Sequence, residues 1–373
     1  MSNTTSDVVI VGGGAAGCAV AYYLTKAGVT VTIIERQGVG TQASGWSAGG
    51  VNPLHGVLKP IMPLALASFR LHEELWDDLR SATGRDCQAR TITMIRLILD
   101  PAEVPVWQET LEVFTATPGF AAYWLEPAEV HKLEPRLTPT VLRGLVLEGN
   151  GVVESFLYTT LLAQAATHHG ATLRPGSVCR VQHANGRVTG VVLDDGAVAC
   201  DQVVFAMGPW AQAAEAWLNV SIPIAPQKGE IVRLALPGPA LTHDVLSADV
   251  SLFSRPEGQV WCGATEEWCG FDTAPSVAAR TFVLSKATAL MPAIAGASLV
   301  QQTACLRPVA PDHLPIIGKA PGWDNVYLAT GGAHKGILLS PAMGKAIADL
   351  ITAGTTTLAI APCAPERFPT VSG

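Results

Sequence analysis

The sequence predicts an α/β fold of about two domains, on three observations. A strand, a glycine-rich turn, a helix and a second strand fill the segment from Val8 to Glu35. Strand-like and helix-like stretches follow one another toward the C-terminus. The chain has 373 residues, 49% hydrophobic and 15% charged, so it is too long for one ordinary core and apolar enough to fill a large one.

The opening unit is the most informative. Val8–Val11 is an apolar run leading into Gly12-Gly13-Gly14-Ala15-Ala16-Gly17, in which Gly12, Gly14 and Gly17 fit G-x-G-x-x-G. Ala15 to Ala27 reads as a helix with Ala19, Val20, Tyr23 and Leu24 on its packed face, and Gly28 ends it. Val29–Ile34 is the second strand, with Glu35 and Arg36 at its end. Gly12 permits the tight turn, Gly14 lets a pyrophosphate approach the backbone, and Gly17 lets helix and strand pack closely. The helix N-terminus offers free N–H groups and the positive end of its dipole to phosphate. Glu35 can accept hydrogen bonds from ribose hydroxyls. The unit points to a nucleotide and does not separate NAD from FAD.

The next segment, 38–50, is rich in Gly, Ser and Ala, so backbone can approach a flat ligand there. Leu64–Arg80 reads as an amphipathic helix, Asp86–Asp100 as strand-like, and Ala102–Leu133 as helical stretches broken by Pro. Glu154–His169 reads as a helix and Ala171–Leu173 as a short strand. Arg187–Leu193 and Ala197–Cys200 make a hairpin around Asp194-Asp195-Gly196, and Gln202–Ala206 is a further buried strand ending near Gly208. Ile222–Leu236, Leu252–Arg255 and Gln259–Thr265 read as strands of a second sheet, and Thr281–Leu290 as a helix. Val326–Ala329 is an apolar strand, followed by the loop Thr330–Gly336 and a helix opened by Ser340-Pro341. The tail after Gly354, rich in Thr, Ala and Pro, is expected to be loosely held.

A net charge of −7 argues against a large nucleic-acid footprint. No apolar run of about 18 residues suggests an integral membrane segment, and Met1–Asp7 lacks the pattern of a secretory signal. The eight Cys form no C-x-x-C pair, so no metal site is expected, and reduced thiols in a cytoplasmic setting are.

Four stretches together resemble the glycine oxidase and D-amino-acid oxidase family of FAD enzymes, which includes sarcosine oxidases and D-amino-acid dehydrogenases. They are VVIVGGGAAG with Glu35, VVFAMGPWA at 203–211, LRPVAPDHLPIIG at 306–318, and GGAHKGILLSPAMGKAIADLI at 331–351. The resemblance implies a discontinuous Rossmann-like FAD-binding domain, 1–80, 145–220 and 300–373. An α+β substrate domain on an antiparallel sheet, 81–144 and 221–299, is inserted between its pieces. It also implies flavin-dependent oxidation of a C–N bond in a small carboxylate-bearing amine, with O2 or another electron acceptor.

By that resemblance, Gly12, Gly14, Ala16, Gly17, Glu35 and Arg36 hold the ADP moiety. Ser44, Gly45, Ala48 and Gly49 reach phosphate and ring, and Val178 meets adenine. Gly208 lies near the cofactor, and Gly332, His334, Lys335, Gly336 and Ile337 lie over the pyrimidine side of the flavin. Arg307 matches the residue that grips the substrate carboxylate, a task suited to a guanidinium fork. Ser251 stands where glycine oxidases carry a Tyr, with Asp249 two positions before it. Thr265 stands about where sarcosine oxidases carry a Lys, and Lys335 where an Arg is common. His55 and His334 are candidate pocket histidines. Cys305 lies near the position of covalent FAD attachment in sarcosine oxidases, but its neighbours follow the non-covalent relatives. Two alternatives stay open: a flavin enzyme modifying tRNA wobble uridine, and a non-catalytic flavin subunit of a dehydrogenase complex. A homo-oligomer also stays open.

Overall fold

The computed structural model describes Thr4–Phe368. The chain forms two units. The first comprises Met1–Ala89, Val153–Gln227 and Leu306–Gly373; the second comprises Arg90–Val152 and Lys228–Cys305.

The first unit is built on a mainly parallel sheet. Its strands run in the order Ile316–Lys319, Val326–Thr330, Gly196–Phe205, Thr4–Val11, Val31–Glu35 and Thr172–Pro175. Val11 lies beside Phe205 on one side and Ile34 on the other, both in parallel register. Side chains alternate across a strand, and both faces are covered. Val8 and Ile10 join a core with the helices Ala15–Lys26, Met62–Thr83, Ser155–His168 and Gly336–Ala353. Val9 and Val11 join a second core with Val203, Phe205, Leu328 and the hairpin residues Val188 and Val191. This doubly covered sheet explains the unbroken apolar runs that mark its strands in the sequence.

The second unit carries a mostly antiparallel sheet in the order Ser298–Val309, Ala225–Ala235, Gln259–Gly263, Ser251–Ser254, Asp244–Leu246, Arg90–Ile98, Arg143–Val152 and Ala121–Leu125. Asp244–Leu246 and Arg90–Ile98 pair in parallel. The helix Val277–Leu290 lays Val283, Ala287 and Leu290 on Val232, Leu234, Val260 and Cys262. Both expected sheet types are therefore present.

Several local expectations need correction. Ala197–Cys200 and Gln202–Ala206 belong to one strand, Gly196–Phe205. The strands Ala121–Leu125, Arg143–Val152 and Val178–Ala184 were not anticipated. The described part of the tail is tied down. Cys363 is fully buried, and Arg367 grips Asp312 with Nε at 2.7 Å while donating to the carbonyls of Cys363 and Leu314. Residues 369–373 of that tail lie outside the described residues.

The C-terminal helix begins at Gly336, not at Ser340, and Pro341 sits inside it. Proline has no N–H for the Ile337 carbonyl, which would cost a helix bond. Two side chains replace that donor: His72 Nε2 at 2.9 Å and Ser340 Oγ at 2.8 Å. One turn on, Ser68 Oγ enters the ladder. It accepts from Ala342 N–H at 3.1 Å and donates to the Leu338 carbonyl at 2.7 Å. The helix passes its proline because Met62–Thr83 supplies the missing partners. One helical stretch among the described residues, Ala333–Ala353, has the length and apolarity of a membrane span, and most of it is buried inside the protein.

Candidate functional site

The strand–turn–helix at the start of the chain is shaped by two close approaches. A side chain at Gly12 would meet the Ala206 carbonyl oxygen at 2.3 Å, and one at Gly17 would meet the Gly12 carbonyl oxygen at 2.0 Å. At Gly14 the only atom that near is Ser44 Oγ, at 3.2 Å. Gly12 and Gly17 are thus needed for packing, and the side of Gly14 is comparatively open. The first intrahelical bond runs from Cys18 N–H to the Gly14 carbonyl. The earlier N–H groups have no helical acceptor, as at every helix start. Ser44 Oγ takes that of Ala15 at 3.0 Å, and those of Ala16 and Gly17 lie beside it. Glu35 is fixed by the N–H groups of Gly13 (2.7 Å to Oε2) and Gln37 (2.8 Å to Oε1). Its Oε2 keeps a second lone pair for a ribose hydroxyl. Arg36 is exposed and stacks on Trp210, 4.1 Å from the ring centroid.

Three further segments border this turn in the same unit. Gly45 lies in the short helix Ala43–Trp46. Gly49 donates to Ser47 Oγ, and its carbonyl accepts from Val153 N–H; Ala48 lies between them in sequence. Gly208 has φ +55° at the end of the strand Gly196–Phe205, and its carbonyl accepts from Thr330 Oγ1 at 3.0 Å. Val178 opens the strand Val178–Ala184, just after the point where Gly176 N–H bonds the Glu35 carbonyl. In the loop before the C-terminal helix, a side chain at Gly332 would meet the Cα of Gly336 at 2.7 Å. Gly336 itself is open: a side chain there would meet nothing within 4 Å. Ile337 is buried, its carbonyl held by His72.

A polar chain lies in this loop and beside it in the same unit. Arg307 Nη1 donates to Gln227 Oε1 at 3.4 Å, and His334 Nε2 lies 3.1 Å from the same oxygen. An amide oxygen only accepts, so His334 carries its proton on Nε2. His334 is accessible to solvent yet enclosed by protein on most sides. That enclosure, then the nearby Arg307 and Lys335 cations, push its pKa down to about 4, so it is neutral at pH 7. Lys335 Nζ donates to Asn52 Oδ1 and to the His55 carbonyl, both at 2.6 Å. Desolvation pushes its pKa down to about 7. Of His55, the backbone oxygen rather than the ring makes this contact. Gln227 and Asn52 carry no motif and escaped the sequence reading.

The other candidates lie in the second unit. Ser251 begins the strand Ser251–Ser254, and the neighbouring Asp249 is paired with Lys286 at 2.8 Å. Thr265 Oγ1 accepts from Glu230 N–H at 3.0 Å. Cys305 is buried in the strand Ser298–Val309.

These features fit a flavin dinucleotide. Free helix N–H groups stand beside Gly14, an anchored carboxylate follows the second strand, and a second helix starts at the open position Gly336. A model of the FAD dependent oxidoreductase family known as DAO matches residues 7–350. The chain belongs to this family. This FAD-dependent oxidoreductase is 32% identical to glycine oxidase of Geobacillus kaustophilus, over 95% of each chain. It is 30% identical to glycine oxidase of Pseudomonas putida, over 97% of this chain and 99% of that one. The crystal structure of the G. kaustophilus glycine oxidase superposes with a TM-score of 0.93 at 29% identity, covering 98% of this chain and all of the other. The cofactor of this oxidoreductase is FAD.

Proposed function

We propose that this FAD-dependent oxidoreductase oxidises the C–N bond of a small amine or amino acid whose carboxylate is held by Arg307. The observation that carries the reading is the Arg307–Gln227–His334 chain. Its guanidinium donates to the Gln227 amide oxygen at 3.4 Å, a contact that orients the fork. A carboxylate is the complementary ligand, taken through two parallel hydrogen bonds. Gln227 is buried and fixes Arg307 and His334 at once. Because His334 is neutral, it adds no second charge beside the guanidinium. The relatives named glycine oxidase support a substrate of this small, carboxylate-bearing class. FAD, when bound, would supply the hydride acceptor for oxidation of the substrate C–N bond, and the imine product would take up water to give a carbonyl compound and an amine. The protein contributes orientation of the substrate carbon against the ring. We assign FAD to non-covalent binding, the terminal electron acceptor to O2 or another oxidant, and the enzyme to a reducing compartment, in keeping with eight free cysteines.

The test is Arg307→Ala, assayed with a panel of amino acids and N-methyl amino acids and with matched amines lacking a carboxylate. KM for the carboxylates should rise about 100-fold, from the loss of charge-assisted hydrogen bonds, while the plain amines change little. Equal kinetics for both classes in the variant and the parent would remove Arg307 from substrate binding.

A further inference from the structure

His313 is set apart by its backbone. It takes φ +58°, a conformation that glycine adopts freely and other residues seldom do, and it is exposed. The turn that carries it is held on both sides. Asp312 accepts from Arg367 Nε at 2.7 Å and from the Leu314 N–H at 3.1 Å. Arg367 Nη2 also donates to the Leu314 carbonyl at 2.9 Å. Among the described residues, the only hydrogen bond of His313 runs from its backbone N–H to the Ala310 carbonyl at 2.9 Å. The ring is thus mounted on a clamped turn, and neither of its nitrogens serves the fold.

This turn adjoins the loop that carries His334. Ile316 pairs with Thr330 in antiparallel register. A side chain at Gly331 would meet the Pro315 Cα at 3.2 Å, so the two chains stay together beyond the strands. Two residues further along come His313 on one chain and Ala333 on the other, with His334 next. Ala333 is left-handed as well, at φ +44°. The proximity leaves an electrostatic trace: after enclosure by protein, the charges of Arg307, Lys335 and His313 all help to keep His334 neutral. Asp312, the acid next to His313, is engaged by Arg367.

We propose that His313 makes this enzyme select amino acids with two carboxylates, Arg307 gripping the first and the His313 ring donating to the second. This rests on the reading that Arg307 holds a substrate carboxylate. Arg307 lies on the strand Ser298–Val309, which runs into the His313 turn. A hydrogen bond to an ionised carboxylate is stronger than one to a neutral amide. Because the turn is already fixed, little order is lost when the second carboxylate arrives.

The holoenzyme is titrated with acetate and propionate and with malonate and succinate, following the flavin absorbance. The dicarboxylates should bind at least about tenfold more tightly than the monocarboxylates. His313→Gly suits the left-handed backbone, so it should fold, and that ratio should fall about tenfold. His313→Asn also tolerates the backbone and keeps a donor, so it should retain more of the preference. No preference in the parent, or a parent-like ratio in His313→Gly, overturns the proposal. A ratio in His313→Asn no higher than in His313→Gly overturns the donor role. Equal weakening of both classes in His313→Gly overturns it in favour of a structural residue. Arg307→Ala tests the underlying reading separately: it should weaken every one of these acids. Parent-like binding of them in that variant would overturn the Arg307 assignment itself.

Discussion

Glu230 has no exposed surface, and Lys228 is 2% exposed, yet both are ionisable. Lys228 Nζ reaches Asp272 at 2.8 Å and Glu230 at 3.3 Å, while Glu230 also accepts from Ser276 N–H and from Gln302 Nε2. These bonds pin the 264–276 loop of the second unit to the strand Ala225–Ala235. Removing one partner of such a group leaves the other uncompensated, so Glu230→Ala should cost about 3 kcal/mol, read as a lower urea midpoint. A variant as stable as the parent would show that the cluster contributes little to folding. At this scale the sequence was legible where a residue's role follows from spacing. Gly12, Gly17 and Glu35 are placed by the motif because backbone geometry leaves few other solutions. Gln227 and Asn52 were not legible, since an amide has no signature until its partners are in space. Lys335 was visible as a cation in the loop, but its attachment to Asn52 and His55 joins residues far apart in the chain.

The C-terminal helix shows why element boundaries were harder to read than elements. Ser-Pro is an ordinary helix start, and locally nothing contradicted that reading. The structure places Pro341 inside the helix because Ser68 and His72, on another helix, satisfy the interrupted ladder. The strand Arg143–Val152 was missed for a related reason: Gly144, Gly149, Asn150 and Gly151 give it the composition of a loop, and only its sheet neighbours define it. His72 also makes the helix pair sensitive to acid. Its Nε2 donates to the Ile337 carbonyl, leaving Nδ1 buried without a partner. Burial therefore pushes its pKa down to about 4 from an ordinary 6.5. The unfolded chain takes up the proton first as pH falls, so this stability is present above pH 6.5 and is lost on the way to pH 4. Between pH 7 and 5 the loss should be about 2 kcal/mol. Urea melts of the parent and His72→Gln should show a shallower acid dependence in the variant; parallel curves would exclude His72 as the source.

For the whole molecule, the two sheet types were legible because parallel strands read as unbroken apolar runs, whereas antiparallel strands recur between turns. The exact places where the chain leaves one unit for the other were not, since composition hardly changes across Ala89 to Arg90 or Gln227 to Lys228. A ligand that binds the folded chain alone stabilises it by mass action. Holoenzyme with free FAD at 100 times its Kd should therefore gain about 2.7 kcal/mol over the apoprotein, seen as a higher Tm. Unfolding in urea followed by filtration should leave the chain colourless. Yellow colour retained on the polypeptide would reveal a covalent link and overturn the assignment of Cys305 as an inert buried thiol.

The strand Val326–Thr330 lies against Gly196–Phe205, one strand in from an edge of the first unit's sheet, although it comes long after the opening βαβ turn in the chain. On the ribosome, the opening βαβ turn is therefore made well before the loop and helix that follow this strand. Capture of FAD by the finished site becomes a post-translational event, and a nascent chain stopped anywhere before Val326 should leave the ribosome colourless.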